Sequence, residues 1–208
     1  MSKRLSATSP RTRRRPGRPV GGGVVVDRAQ LLAAAAHVIR SEGPDATMAE
    51  IAAAATVTKP ILYRAVGDRR ALTFALSEVL VDRINIAVEE RRVNATDPRA
   101  QFEGAVRGYL SAVDADRNLF LFVNGGSQDT DVIRGLIDRS AAQLIELFAT
   151  ARSAAGRDPI AARTWAYAIV GAFQVVTLMW LRDAYCDLDT VADDLTLLLW
   201  PGVATAGS

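Results

Sequence analysis

Lys59 and Arg64 stand in the segment Val57-Thr58-Lys59-Pro60-Ile61-Leu62-Tyr63-Arg64, whose apolar positions are spaced for a helix. On such a helix the ammonium and the guanidinium present donors outward, which is how a helix reads base edges and grips phosphates in a DNA major groove. Thr58 stands where a helix-capping side chain is needed, and Pro60 lies in the first turn, where a missing N–H is tolerated. Residue types for other chemistry are scarce. The 208 residues include one cysteine, Cys186, and one histidine, His37. A disulfide within the chain and a cysteine-based zinc site are thereby excluded, and little remains for transition metals. A Ser-His-Asp arrangement would have to recruit His37, no G-x-x-x-x-G-K-S/T loop exists, and Gly21-Gly22-Gly23 lacks the lysine of a phosphate cradle. The expectation is a protein that is not an enzyme and needs no metal and no cofactor, with His37 and Cys186 as packing residues.

The elements that must position these donors read as all-α, about nine helices with almost no strand punctuation and no internal repeat. Residues 48–67 fit a helix-turn-helix, in which Ile51, Ala55, Val57, Leu62 and Ala65 supply the inward apolar positions and Ala52 the small side chain where the helix axes approach. Asp27-x-x-Gln30 and Thr47-x-x-Glu50 are capping-box patterns for the helices before and within that motif. Asp68 can cap a longer helix, and Asp97-Pro98 and Asp158-Pro159 each place an acceptor at the N-cap with proline behind it. Further helices are expected around 117–123, over 131–155, and from 189 to 200, where Pro201 should end the last one.

The stretch 27–76, and above all residues 57–64 followed by Gly67-Asp68-Arg69-Arg70-Ala71-Leu72, resembles the N-terminal domain of the tetracycline-repressor (TetR) family of bacterial transcription regulators. The resemblance implies that Thr47 and Tyr63 contact phosphates, and that Thr58, Lys59, Pro60 and Arg64 face base edges or nearby backbone. Arg69 stands where the family usually has a phosphate-contacting lysine. Three positions depart from the pattern. Thr56 occupies the turn position usually given to glycine, and a β-branched residue held at positive φ costs roughly 1–3 kcal/mol; either the turn is drawn differently or the motif is strained. Ala65 and Val66 replace larger family residues, which reduces phosphate contact and packing there.

Residues 1–26 carry seven basic side chains and no acidic one, set in Ser, Thr, Pro and Gly, so the formal net charge of +2 is a property of this arm. Such a block does not bury enough apolar surface to order itself and suits nucleic acid. Within it, Arg15-Pro16-Gly17-Arg18-Pro19 resembles the Gly-Arg-Pro core of AT-hook peptides, which implies insertion of Arg15 and Arg18 into a narrow A·T-rich minor groove with Arg13 and Arg14 on phosphates. Undirected electrostatic affinity is the competing reading. No apolar run follows the arginines as a secretory signal requires, so a cytoplasmic location is expected.

Domains are therefore expected at 1–26, a basic arm, at 27–72, the DNA-binding unit, and at 73–208, a helical body. The body holds 12 basic and 18 acidic residues and is ill suited to lie along DNA. Family resemblance implies that it binds a ligand and dimerises through its last two helices. Residues 164–181 are apolar on more than one face, with small residues at Ala168, Gly171 and Ala172, and the last helix offers Leu195, Leu197, Leu198, Leu199 and Trp200. An interface helix and a membrane span share that pattern; the flanking Arg163 and Arg182 and the shortness of the run favour the interface. Tyr109, Phe120, Phe122, Phe148, Trp165, Phe173, Met179 and Trp180 are candidate walls of an effector pocket, with Asn124, Gln128, Gln174 and Thr177 as polar anchors. The expected function is a homodimeric regulator, a repressor released from a pseudo-palindromic double-stranded operator by a small, largely hydrophobic effector. The alternative is an architectural protein whose arm prefers A·T-rich DNA.

Overall fold

The computed structural model describes residues 27–125 and 130–205, apart from the side chains at 130–133 and 136. Nine helices fill these residues: α1 Arg28–Glu42, α2 Met48–Ala54, α3 Lys59–Val66, α4 Arg69–Arg92, α5 Pro98–Ala115, α6 Arg117–Gly125, α7 Thr130–Ala154, α8 Ala161–Asp183 and α9 Leu188–Ala204. No strand occurs among the described residues. Local capping explains most starts. Asp68 accepts from Ala71 N at 2.9 Å, Asp97 from Arg99 N and Ala100 N at 3.0 Å, and Asp187 from Thr190 N at 2.8 Å. Asp27 caps α1 through Ala29 N at 3.0 Å, without a reciprocal bond from Gln30.

Two boundaries differ from expectation. Asp158 accepts from Ile160 N at 2.8 Å, but residues 159–160 form a turn and α8 begins at Ala161. The Asp158 carbonyl is meanwhile held by Arg152 Nε at 2.8 Å, so the segment is tied back to α7 before it can enter the helix. Pro201 does not end the last helix; α9 continues through it to Ala204. Proline deprives the Leu197 carbonyl of its intrahelical donor, and the helix runs on past that one missing bond.

One apolar core runs through the molecule. Leu31, Ile39, Ile51, Leu62, Leu72 and Leu76 of the first four helices join Leu110, Leu119, Phe122, Leu181 and Leu195 in a single buried cluster. The boundary expected at residues 72/73 falls inside α4, which carries both the α1–α3 unit and the body on one continuous rod. A second, smaller cluster of Ala141, Phe148, Ala162 and Ala166 holds α7 against α8.

The most intimate crossing is that of α4 with α5. A Cβ on Gly108 would lie 2.6 Å from the Ala87 carbonyl oxygen and 2.9 Å from Val88 Cα, and one on Gly104 would lie 2.9 Å from the Arg91 carbonyl oxygen. Backbone, which cannot swing aside, is the obstacle in each case. Gly108→Ala is therefore expected to destabilise the fold by about 2 kcal/mol through forced separation of the two helices, measured as a lower urea midpoint at unchanged m-value.

Candidate nucleic-acid interface

The α2–turn–α3 unit is built from short-range bonds. Thr47 forms the complete capping box of α2: its backbone N–H donates to Glu50 Oε2 at 2.7 Å, and its hydroxyl accepts from Glu50 N at 3.3 Å and donates to Oε2 at 2.8 Å. Hydrogen bonds from the Thr47 backbone and then its hydroxyl hold the Glu50 carboxyl below its ordinary pKa. At the other end of α2, Val57 N bonds to the Ala52 carbonyl at 3.0 Å. That closure wraps the turn around Thr56, whose φ is +54°. The turn is thus drawn as the family pattern requires, and a threonine occupies the left-handed position.

Helix α3 sits over the core on Leu62 and Val66, both buried. Its opposite side is open: Thr58, Lys59, Pro60, Tyr63 and Arg64 are all exposed, Tyr63 at 46%. Thr58 holds the N-cap position with extended backbone, and its carbonyl accepts from Ile61 N at 2.9 Å and Leu62 N at 3.1 Å. The capping role expected of its hydroxyl is not taken up; the side chain makes no cap bond, because Pro60 at the helix start removes one of the N–H groups it would serve. A hydroxyl, an ammonium, a phenol and a guanidinium therefore share one solvent-facing strip. Arg69 is placed differently. Its Nη1 donates to the Ala46 carbonyl at 2.7 Å and its guanidinium lies over the Phe122 ring, 4.6 Å from the centroid. Arg13, Arg14, Arg15, Arg18 and Gln128 lie outside the described residues.

Where the reading unit meets the body, a constellation appears that the sequence did not disclose. Asp116, 6% exposed at the corner between α5 and α6, receives Arg40 of α1 and Arg83 of α4 on its two carboxylate oxygens. Arg40 Nη2 adds a bond to Oδ2 at 3.3 Å, and Asn118 Nδ2 donates to the Arg40 carbonyl at 2.9 Å. Burial alone would raise the Asp116 pKa, but the bonds and charges of Arg40 and Arg83 outweigh it and hold the carboxyl below its usual range. A cleft of about 390 Å³ opens beside the cluster, lined by Arg40, Arg83, Ala112, Ala115 and Asp116. Nothing in the local pattern at Asp116 distinguishes it from a solvated aspartate.

The pocket candidates separate into groups. Tyr109 and Phe173 meet edge to face with centroids 5.0 Å apart, and burial pushes the Tyr109 phenol up to about 12, with nearby Thr177 opposing the shift. The Thr177 hydroxyl is buried without a hydrogen bond of normal geometry. Gln174 Nε2 donates to Asn124 Oδ1 at 2.7 Å, and Asn124 Nδ2 to the Phe120 carbonyl at 2.8 Å. Phe120, Phe122 and Trp180 lie in the main core, with Trp180 Nε1 donating to the Cys186 carbonyl at 2.9 Å. Phe148 and Trp165 pack 6.0 Å apart in the separate α7–α8 cluster, where Arg152 covers the Trp165 ring. The structure joins Tyr109, Phe173, Gln174 and Thr177 with α6, and sets Phe148 and Trp165 apart from them. His37 is exposed, and Cys186 is half-buried.

Residues 31–76 match the family model described as bacterial regulatory proteins, tetR family. Over 186 residues the chain is 30% identical to an uncharacterized HTH-type transcriptional regulator of Mycobacterium tuberculosis, spanning 86% of this chain and 80% of that protein. A TetR-like transcriptional regulator from Rhodococcus sp. RHA1 superposes with a TM-score of 0.59 at 28% identity, covering 85% of this chain and 94% of that one. The fold also matches that of FadR from Bacillus subtilis, solved in complex with stearoyl-CoA, with a TM-score of 0.64, 16% identity, and coverage of 83% and 97%.

Two outcomes follow for stability. Thr56→Gly should stabilise the protein by about 1 kcal/mol, the cost of the left-handed backbone less the extra chain entropy of glycine, seen as a higher urea midpoint. Because the folded Asp116 pKa is depressed, its contribution is fully present above the unfolded value of about 3.9 and is lost as pH falls below it. Asp116→Asn should lower stability by about 2 kcal/mol at pH 7 and by much less near pH 3, measured by denaturant titration at both pH values.

Proposed function

From the chain's membership of the tetR family of bacterial regulatory proteins, DNA-binding transcription regulators rather than enzymes, we propose that it is a homodimeric repressor released from a pseudo-palindromic operator by a small, largely hydrophobic effector. The observation that carries this reading is the exposed strip of Thr58, Lys59, Pro60, Tyr63 and Arg64 on a helix whose other side is anchored by Leu62 and Val66. Lys59 and Arg64 supply donors for base edges, while Thr47 at the start of α2 and Tyr63 lie against the backbone. The organisation is a basic arm at 1–26, a reading unit at 27–72 and an effector and dimer body at 73–208. A transcription regulator works beside the chromosome, in the cytoplasm.

Dimerisation through α8 and α9 gives their apolar surface a partner. Val175 is 62% exposed, Leu197 70% and Leu198 73%. Helix α8 is also the one helix among the described residues long and apolar enough to cross a membrane, with 22% of its most apolar window buried. A second copy covers the same surface without a bilayer and sets two α3 helices about one DNA turn apart. The effector site is placed around Tyr109, Phe173, Gln174 and Thr177, where an apolar wall meets polar side chains. The Bacillus subtilis regulator of the same fold was solved in complex with stearoyl-CoA, which supports an effector with a long apolar part. An effector that binds better to a conformation with misspaced α3 helices must weaken operator binding by the same factor.

The test is selection of bound fragments from random double-stranded DNA at about 150 mM salt, fixed because phosphate-driven affinity depends steeply on it. Full-length protein and a chain beginning at Val24 should enrich the same inverted repeat. Lys59→Ala with Arg64→Ala should lower affinity for that repeat by about 100-fold or more. Enrichment by full-length protein alone, of A·T-rich DNA without symmetry, would instead identify an architectural protein that binds through its arm.

A further inference from the structure

We infer that Arg69 positions the reading unit on the body and does not contact DNA phosphate. The inference rests on the operator-binding reading and concerns how the recognition helix is held at its working height. Arg69 is the first residue of α4, and its side chain turns into the seam between elements. There it donates to the Ala46 carbonyl at 2.7 Å and lies 4.6 Å from the centre of the Phe122 ring on α6. Phe122 is 1% exposed, so the cation lies against a buried aromatic ring. Ala46 immediately precedes Thr47, the N-cap of α2, and is itself buried at 4%. Fixing its carbonyl fixes where α2 begins, and α3 is packed on α2 through the same core.

The chemistry suits a guanidinium. Its central carbon lies over the ring while one of its N–H groups reaches the Ala46 carbonyl, so one rigid plane spans both contacts, whereas the single nitrogen of an ammonium must serve both from one point. Helix α6 is also anchored to α1, since Asn118 donates to the Arg40 carbonyl at 2.9 Å. The start of α2 is thereby referred to the same short helix that holds α1. A lysine at this position would retain the charge needed for a phosphate and lose the stacked, edge-bonded arrangement. Charge and position are therefore separable by substitution.

The experiment compares wild type, Arg69→Lys, Arg69→Met and Phe122→Leu on the inverted repeat enriched by the wild-type chain and on a scrambled fragment of equal length, over a range of salt. A positioning role gives a loss of about tenfold or more on the repeat for Arg69→Lys, little change on the scrambled fragment, and an unchanged salt slope. Combining Arg69→Lys with Phe122→Leu should then cost little more than either alone. Wild-type affinity for Arg69→Lys overturns the inference, as does a fall of about 0.9 in the salt slope for Arg69→Met with equal weakening on both fragments. Hydrogen exchange in the free protein decides the matter independently of any operator. Amides 47–51 should exchange faster in Arg69→Lys and Phe122→Leu, with helical circular dichroism retained, and unchanged protection in Arg69→Lys overturns the inference even if no repeat is enriched. Should Phe122→Leu fail to fold, Arg69→Met, which removes the cation and its donor and leaves the ring in place, is expected to show the same faster exchange at these amides, and wild-type protection there overturns the inference.

Discussion

A buried carboxylate at one corner ties α1 and α4 to the turn between α5 and α6, where the helix-turn-helix unit joins the helical body. Asp116 would be costly to bury alone, since a desolvated charge needs a partner of opposite sign. It has Arg40 from α1 and Arg83 from α4, both of them part-exposed, so the two cations keep contact with water while the carboxylate is nearly covered. Removing either arginine leaves the carboxylate with a single cation, and removing the carboxylate leaves two like charges facing each other at the seam. Helix α6, which follows Asp116 directly, adds Asn118 on α1 and Phe122 beneath Arg69. The seam is therefore polar and directional, whereas the core beside it is apolar.

That joint makes sense of the rest of the packing. The rod α4 runs without a break from the reading unit into the body, and the glycines of α5 let it lie against the α4 backbone. At the far end of α6, Asn124 bonds to Gln174 of α8, beside Tyr109, Phe173 and the unbonded Thr177 hydroxyl. A change in how α8 meets α6 would thus be felt by residues that hold α1 and the start of α2. Interfaces of this kind respond by switching between packed arrangements, because interdigitated side chains resist continuous deformation.

Two non-glycine residues are held at positive φ among the described residues, and one of them lies in the helix-turn-helix. Thr56 is held at positive φ by the closing bond from Val57 N to the Ala52 carbonyl, and the capping box at Thr47 and the apolar anchors of α3 must offset that cost. A left-handed threonine is tolerated where the surrounding bonds over-determine the backbone. The second left-handed residue, Ala184, ends α8 just before the α9 cap, again at a junction fixed from both sides.

Helix number, order and most starts were legible in the chain because capping is local: Asp68, Asp97 and Thr47 bond within three residues, and the side chain that caps is next to the amide it serves. The exposed strip of α3 was legible for the same reason, since helical period acts over a few residues, whereas the sequence left open whether the turn at Thr56 is drawn differently or strained, and only the positive φ decides it. The start of α8 and the passage of α9 through Pro201 were not legible, because a tie from Arg152 holds the first from outside the segment and the helix around Pro201 persists despite one missing donor. Asp116 finds its cations 76 and 33 positions away, and Arg69 finds its carbonyl 23 positions away. Composition and spacing therefore determined the elements and which side chains of α3 lie outward. Only the tertiary structure decided which carboxylate is buried, that Arg69 faces inward, and that Phe148 and Trp165 pack apart from Tyr109 and Phe173, because those outcomes depend on which helices meet and at what distance.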